Sequence, residues 1–144
     1  MAYWLVKSEP NVWSWDMQQN KGFIGEAWTG VRNYQALNYM KKMMIGDKGF
    51  FYHSNYGREI VGIFEVIASS YPDPTSDLSS RWECVDIRAV CSMPSHISLH
   101  DIKCNPMLSE MALISFPRLS VQPVTFLEYV EVCRMGNLLN PPLD

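Results

Sequence analysis

The sequence has no excess of positive charge. Its 144 residues include 12 Lys and Arg against 15 Asp and Glu, which gives a formal net charge of −3, and the pI is about 5.6. Proteins that hold nucleic-acid phosphates over a broad surface are usually basic. The balance therefore argues against tight, non-specific binding of nucleic acid, but it leaves room for a local cationic rim around a pocket.

Closely spaced cysteines and long apolar runs are also missing. The four cysteines, at positions 84, 91, 104 and 133, form no CxxC pair, so we expect reduced thiols. No apolar run approaches the roughly 18 residues that a membrane span needs, and charge follows the N-terminal Met-Ala-Tyr-Trp too closely for a signal peptide. We expect an intracellular protein without a membrane partner, cytoplasmic in a bacterium and nuclear in a eukaryote.

The sequence shows no catalytic or metal-binding motif. No serine or cysteine stands in a nucleophile elbow or triad pattern. His96, His100 and Cys104 stand four residues apart, a spacing that would place three metal ligands on one helix face. Asn105-Pro106 ends any such helix at once, and only three ligands align. We therefore expect neither a metal nor a cofactor.

What the chain does have is apolar and aromatic residues, at 47% and 12% of the sequence. A chain of this length can bury about two-thirds of its unfolded surface, enough for one core. We therefore expect a single domain over residues 1–144. Hydrophobic periodicity and turn residues predict its elements. The predicted strands cover residues 3–7, 47–52, 59–69, 82–91 and 119–124, and the predicted helices cover a short stretch after Ser14, residues 33–45, a turn or two over 98–103, and a closing helix after Thr125.

The order of these elements indicates an α+β fold, with a small curved sheet or barrel and helices packed on it. Residues 23–31, with two glycines, are predicted to form a loop that presents Trp28. In the closing helix Phe126, Tyr129, Val130 and Cys133 fall at helical spacing, which predicts that they face the core.

Two short segments carry most of the functional signal. They are Trp4-Leu5-Val6-Lys7-Ser8-Glu9-Pro10 and Trp28-Thr29-Gly30-Val31-Arg32-Asn33. Each places an aromatic ring near a small hydroxyl side chain and a cation. A pocket for one flat, unstacked base needs an aromatic face and a few fixed donors and acceptors.

With these and further segments, the chain resembles the EVE domain family over nearly its whole length. The further segments are Phe51-Tyr52-His53-Ser54-Asn55, Tyr71-Pro72-Asp73-Pro74-Thr75 and Arg118-Leu119-Ser120-Val121-Gln122-Pro123-Val124. The resemblance implies a PUA-like mixed β pseudo-barrel with flanking short helices. It also implies recognition of modified bases in nucleic acid, with methylated or hydroxymethylated cytosine in DNA as the usual proposal.

The resemblance extends to YTH domains, which hold N6-methyladenine in RNA in an aromatic cage. Trp28-Thr29 looks like the Trp and small hydroxyl pair of that cage. Two positions depart from the EVE pattern, because Thr29 stands where the family usually has Asp and Leu37 stands where it usually has Arg. Thr29 could change which exocyclic group is accepted, and Leu37 removes a cation.

We expect Trp28 to stack on the base, with Tyr71 or Tyr52 opposite. The hypothesis assigns base-edge contacts to some side chains and phosphate contacts to others. Edge-reading residues would be Ser8, Thr29 and Asn33, phosphate-holding residues Lys7 and Arg32, pocket-mouth residues His53 and Ser54, and floor residues Ser120 and Gln122.

Each assignment has a structural alternative. Trp28 could fill the end of the barrel, Asn33 could simply cap the helix that follows it, and Arg32 could pair with a buried carboxylate such as Asp47. Lys7 could form a surface pair with Glu9.

Two other classes of function stay open. A small hydrolase or transferase would use His53 as a general base, which must lie within hydrogen-bond reach of its proton. The paired carboxylates Glu128 and Glu131 are instead typical of a solvated helix face. A protein-interaction domain would present its aromatic residues on a flat apolar patch.

Overall fold

The computed structural model describes residues 1–77 and 79–143. Its strands are β1 (Tyr3–Ser8), β2 (Glu26–Trp28), β3 (Lys48–His53), β4 (Glu59–Pro72), β5 (Glu83–Ser98) and β6 (Val121–Val124). Its α-helices are α1 (Trp15–Asn20), α2 (Tyr34–Lys42), α3 (Leu99–Cys104), α4 (Ala112–Ser115) and α5 (Phe126–Met135), with 3₁₀ turns at Gly22–Ile24 and Pro106–Leu108. Within the described part of the chain, no helix has the length and apolarity to cross a membrane.

The six strands form one curled, mixed sheet. Their order is β2-β5-β4-β3-β1-β6, and only the β1–β3 pair is parallel. The long β4–β5 pair shifts register four times, and such irregularities bend and twist strands. Although three other strands separate β1 from β2 in this order, both contribute to one cavity, so the sheet curls round. This confirms the predicted α+β pseudo-barrel with short helices.

Both faces of the sheet are buried, which places a core on each side. Alternation along β1 puts Trp4 and Val6 in the core inside the curl and Leu5 in the core outside it. Neighbouring Phe51 and Phe50 on β3 divide in the same way. Helix α2 covers the first core and α5 covers the second, so each helix buries one apolar face against the sheet.

Side-chain caps begin the helices where the sequence predicts. Asn33 Oδ1 accepts the Ala36 N–H at 2.9 Å, which confirms it as the N-cap of α2. Thr125 and Glu128 form the predicted capping box of α5. Helix α2 ends at Lys42 rather than Ile45, because Asp47 Oδ2 accepts the Met44 N–H at 2.9 Å in the turn that leads into β3.

Three predicted details are wrong. Residues 26–28 form β2 rather than loop, since they pair with β5, and β5 continues to Ser98 instead of ending at Cys91. In α5, Phe126 and Val130 are exposed by 51% and 38%, because the buried face of this helix runs through Tyr129, Val132 and Cys133.

Glu131 is a further correction, because it is buried rather than solvated. Its carboxylate accepts hydrogen bonds from Arg134 at 2.7 Å and from Asn105 at 2.6 Å. These two bonds, led by the Arg134 guanidinium, lower the pKa of Glu131 to about 2. The carboxylate therefore joins α5 to the turn after α3.

Close approach of Trp15 to β4 explains one glycine. A Cβ added to Gly62 would lie 2.1 Å from the Trp15 ring, and Trp15 is fixed by an Nε1 hydrogen bond to Ser92 Oγ at 2.9 Å. We predict that Gly62→Ala lowers the free energy of unfolding by about 1–3 kcal/mol, the usual cost of overpacking. Urea denaturation followed by circular dichroism measures the change.

Ser69→Ala, at an exposed position on the same strand, is the matched control and should change stability by less than about 0.5 kcal/mol. A Gly62→Ala protein as stable as this control would show that Trp15 can move without loss.

Candidate functional site

A cavity of about 460 Å³ opens between the C-terminal end of β1 and the edge strand β2. Its volume lies within the range of roughly 300–1,000 Å³ typical of small-molecule sites. Three chain segments and one single residue form its walls. The lining residues are Lys7, Ser8, Glu9, Val12, Trp13, Glu26, Ala27, Trp28, Thr29, Gly30, Val31, Arg32 and Ser120.

Two tryptophans from different segments line this cavity. Trp28 packs edge-on against Phe51, with ring centroids 5.5 Å apart, so the core side of the ring is fixed. Trp13 donates from Nε1 to Gln18 Oε1 at 2.9 Å, and the buried Gln18 donates to the Ile87 carbonyl on β5 at 3.2 Å. Both rings are therefore held in place by the barrel, a condition for stacking a flat ligand at low entropic cost.

The small hydroxyl side chains of the cavity differ in what they can still bind. Ser8 Oγ donates to the Trp13 carbonyl at 2.6 Å, so its oxygen is left as an acceptor. The hydroxyls of Thr29 and Ser120 also line the cavity, and within residues 1–77 and 79–143 neither has a hydrogen-bond partner. These two can either donate or accept. The cavity thus offers both kinds of polar contact to a ligand edge.

Lys7 lies in the wall with its ammonium partly committed. Its Nζ donates to the Pro117 carbonyl at 2.6 Å and lies 5.9 Å from the centre of the Tyr52 ring. Burial lowers the pKa of Lys7 below its ordinary value. Because an ammonium has three donors, Lys7 can still bind one acceptor on a ligand while it anchors the segment before β6. The alternative role of Lys7, a surface pair with Glu9, is not observed, since Glu9 Oε1 accepts from Asn55 instead.

The sequence left two roles open for Arg32, a phosphate contact or an ion pair with a buried carboxylate. In the structure Arg32 forms the ion pair. The partner is Asp73, at 3.1 Å, and not Asp47, which accepts instead from Trp4 Nε1 at 3.0 Å. Asp73 also accepts the Gly30 N–H at 2.9 Å and both the N–H and the hydroxyl of Thr75, at 2.7 and 2.6 Å. Asp73 thereby fixes the loop that follows Trp28.

Of the twelve predicted site residues, six line the cavity and six do not. Those in the cavity are Lys7, Ser8, Trp28, Thr29, Arg32 and Ser120. Asn33 serves as the helix cap. Tyr52 is buried in the outer core, and Ser54 donates its backbone N–H to the Ser8 carbonyl at 2.9 Å.

Tyr71, His53 and Gln122 are held elsewhere by their own hydrogen bonds. The Tyr71 hydroxyl donates to Asp86 at 2.5 Å, and this bond raises the pKa of Tyr71. Gln122 is fully buried, and its amide donates to the carbonyls of Phe116 and Leu119 at 3.1 and 2.9 Å. His53 Nε2 accepts the Trp15 N–H at 3.0 Å, and burial lowers its pKa.

His53 is therefore poorly placed as a general base for chemistry in this cavity. Its Nε2 lone pair is bound to a backbone N–H, and the residue is outside the cavity wall. The three residues at metal-ligand spacing do not come together. His96 lies on β5 and pairs with Glu59 at 2.9 Å, whereas His100 and Cys104 lie on α3 with Nε2 and Sγ 3.7 Å apart. In the described part of the chain, no group of three or more His, Cys, Asp or Glu is arranged to hold a metal.

Sequence reasoning missed seven lining residues. They are Glu9, Val12, Trp13, Glu26, Ala27, Gly30 and Val31. Trp13 is the most consequential, and its signal was an aromatic residue in the turn between a strand ended by Glu9-Pro10 and a helix capped by Ser14. Glu26 and Glu9 add two carboxylates to the cavity, of which Glu26 lies 3.9 Å from Lys21.

The chain is similar to known proteins in both sequence and structure. Residues 2–135 match the EVE domain family. Thymocyte nuclear protein 1 of the rat is 35% identical over 158 residues, an overlap that covers 88% of this chain and 70% of the rat protein. A crystal structure of a protein from Agrobacterium tumefaciens is 63% identical with a TM-score of 0.97, and the match covers 99% of this chain and 97% of that one.

Two solved complexes share the fold. Human thymocyte nuclear protein 1 in complex with DNA containing 5-methylcytosine is 30% identical with a TM-score of 0.86, over 98% of this chain and 100% of that one. A YTH domain from Zygosaccharomyces rouxii in complex with N6-methyladenosine RNA is 10% identical with a TM-score of 0.58, over 99% and 88% of the two chains. At that identity the YTH likeness is one of fold alone.

The lowered pKa of Asp73 implies that this carboxylate stabilises the fold less as the pH falls. Burial alone raises the pKa of Asp73, but hydrogen bonds from Thr75, Gly30 and Arg32 outweigh it and lower the pKa from 3.8 to about 2. A lowered folded-state pKa contributes stability above pH 3.8 that is lost as the pH falls towards 2. We predict that Asp73→Asn lowers the free energy of unfolding by about 1–3 kcal/mol at neutral pH.

The difference between wild type and Asp73→Asn should shrink between pH 4 and pH 2, as urea titrations at several pH values would measure. Comparing the two proteins removes the contribution of Glu131, which titrates in the same range. A difference that stays constant down to pH 2 would contradict the assigned role of the Asp73 charge.

Proposed function

We propose, because this chain belongs to the EVE domain family, that it is a nucleic-acid-binding module that captures one modified base. The base would be 5-methylcytosine in DNA, held between Trp13 and Trp28. The observation that carries the proposal is that two fixed tryptophan rings and three small hydroxyl side chains line one cavity. The methylcytosine-containing complex of the human relative supports this choice of base.

Stacking would supply most of the affinity. Base–aromatic stacking is worth about 1–3 kcal/mol per base by alanine substitution, whatever the sequence. Trp28 is fixed by Phe51 and Trp13 is fixed through Gln18, so neither ring would need to be ordered when the base enters. A duplex would still have to release its base, at a cost of a few kcal/mol. We therefore expect tighter binding to single strands than to duplexes.

The polar groups of the cavity suit a base that carries an amino group. Cytosine presents a 4-amino donor, and carboxylates are common acceptors for it. Glu26 and the Ser8 oxygen would accept from this amine, since the Ser8 proton is already donated to Trp13. Lys7 and Thr29 would donate to the ring acceptors of the same base. Thymine, with a carbonyl in place of the amine, would face two acceptors and bind less well.

Apolar side chains would contact the methyl group. Val12, Ala27 and Val31 line the cavity beside the tryptophans. Burying one methyl group is worth about 0.8 kcal/mol, or roughly a fourfold change in affinity. The preference for methylated over unmodified cytosine should therefore be modest. Hydroxymethylcytosine in DNA and N6-methyladenine in RNA, the other bases that the family and YTH resemblances suggest, would compete for the same rings.

A binding module accounts for these residues better than an enzyme. The cavity contains no nucleophile paired with a base, and the histidine proposed for that role is bound to the Trp15 backbone outside the cavity. The concave cavity also favours a small, enclosed ligand feature over a flat protein-interaction surface.

We predict that Trp13→Ala weakens binding of a single-stranded oligonucleotide with one 5-methylcytosine by about 1–3 kcal/mol, because one stacking face is removed. Isothermal titration calorimetry at a stated low salt concentration would measure the change. Trp28→Phe should weaken binding in the same direction with less disturbance of the buried ring site. Matched oligonucleotides with cytosine, hydroxymethylcytosine, N6-methyladenine or thymine, in DNA and RNA, would rank the ligands.

Tyr56→Ala, at a ring that is 68% exposed and outside the cavity, is the control and should bind as wild type does. Equal weak affinity for every oligonucleotide, unchanged by Trp13→Ala and Trp28→Phe, would exclude base capture in this cavity.

A further inference from the structure

A second, smaller hollow of about 280 Å³ adjoins the cavity. It is lined by Asn33, Gln35 and residues 115–119. Consecutive residues of the chain line the two hollows at two places. Arg32 lines the first and Asn33 the second, while Ser120 lines the first and Leu119 the second. They lie side by side along the same pair of chain segments.

The two hollows are near enough for a single hydrogen bond to connect their walls. Lys7 lines the first cavity, and its Nζ donates at 2.6 Å to the carbonyl of Pro117, which lines the second hollow. Successive phosphates on one DNA strand are separated by about 3.4 Å along the helix axis, and more when the strand is extended. A strand with one base in the cavity would therefore bring its neighbouring nucleotide to the second hollow.

The side chains of the second hollow suit that nucleotide. The Phe116 ring is 53% exposed, which leaves a face for stacking. Arg118 is exposed, and within the described residues it has no hydrogen-bond or ion-pair partner. The cations of the first cavity are more committed, since Arg32 pairs with Asp73 and Lys7 donates to the Pro117 carbonyl.

The segment that carries Phe116 and Arg118 is held rigidly by hydrogen bonds from other parts of the chain. The buried Gln122 donates to the carbonyls of Phe116 and Leu119, and Lys7 donates to the carbonyl of Pro117. Three carbonyls of a five-residue stretch are thus fixed before any ligand binds. Such preorganisation reduces the ordering cost of binding.

We propose that this hollow binds the nucleotide next to the captured base, with its base on Phe116 and its phosphate at Arg118. The proposal rests on the function proposed above and narrows the ligand class to a strand of at least two nucleotides, rather than a free nucleoside or mononucleotide. It also assigns the phosphate contact to Arg118, a role that the sequence suggests for Arg32.

The test compares two ligands, the 5-methyldeoxycytidine nucleoside and a trinucleotide with 5-methylcytosine at its centre, by calorimetry or NMR titration. We expect Arg118→Gln to weaken the trinucleotide about tenfold at low salt, as loss of one charge-assisted contact does, and to leave the nucleoside unchanged. The slope of log affinity against log salt should fall by about 0.7, the value for one phosphate on a single strand. Lys103→Gln, an equal charge change on α3, is the control and should not discriminate between the ligands.

The Phe116→Ala variant tests separately whether the neighbouring base stacks on Phe116. It should weaken the trinucleotide but have no effect on a trinucleotide whose two flanking positions are abasic, because only stacking is lost. If Arg118→Gln and Phe116→Ala bind the trinucleotide as wild type does while Trp13→Ala loses both ligands, the second hollow is empty and base capture stands. If the wild type binds neither ligand, both proposals fail. If Arg118→Gln weakens binding of the nucleoside and the trinucleotide equally, the effect lies in the first cavity and the proposed second subsite is wrong.

Discussion

The buried carboxylate of Asp73 is the contact on which the geometry of the cavity depends. It is 3% exposed and accepts from Gly30, Arg32 and Thr75, residues on two loops that are about forty positions apart. A buried charge is costly unless it is paired and hydrogen-bonded, and here four donors satisfy it. Because the Gly30 N–H is one of them, the loop that follows Trp28 is fixed relative to the end of β4. The wall of the cavity is therefore set from outside the cavity itself.

This arrangement also decides how the cavity can recognise a ligand. Arg32 is paired with Asp73, and the cavity also contains the carboxylates Glu9 and Glu26, so Lys7 is a cation in a site without net positive charge. The overall charge of −3 agrees with that, because neither the site nor the whole molecule is built for charge-driven binding. In the proposed function, affinity would then come from stacking, and selectivity would come from hydroxyl and carboxylate contacts to one base edge, which act over short distances.

The sequence predicted most of the helices and strands and some residues of the wall around Trp28, but it predicted neither β2 and α4 nor the opposite wall. Periodicity and capping residues are local signals, and Asn33 and Thr125 begin their helices as expected. Trp13 lies in a turn without periodicity, and its ring is positioned through Gln18 by a carbonyl of β5 that is 69 residues away from Gln18. Tyr71 was expected in the cavity, beyond the strand predicted to end at residue 69. It instead belongs to β4 and donates to Asp86. Long-range hydrogen bonds of this kind have no signature in the spacing of residues.

Thr29 stands where the resemblance to the EVE family implies an Asp, and the two side chains would differ in what they offer a ligand. An ionised carboxylate only accepts hydrogen bonds, whereas a hydroxyl can both donate and accept them. With Thr29 in place of the usual Asp, one fixed negative charge is absent beside Trp28, and the carboxylates of the cavity are Glu9 and Glu26. Glu9 is bound by Asn55, and Glu26 lies at the distance of a weak contact from Lys21. Glu26 is therefore the carboxylate with most freedom to accept from a ligand, and a base with an exocyclic amine is the ligand whose donor it would match.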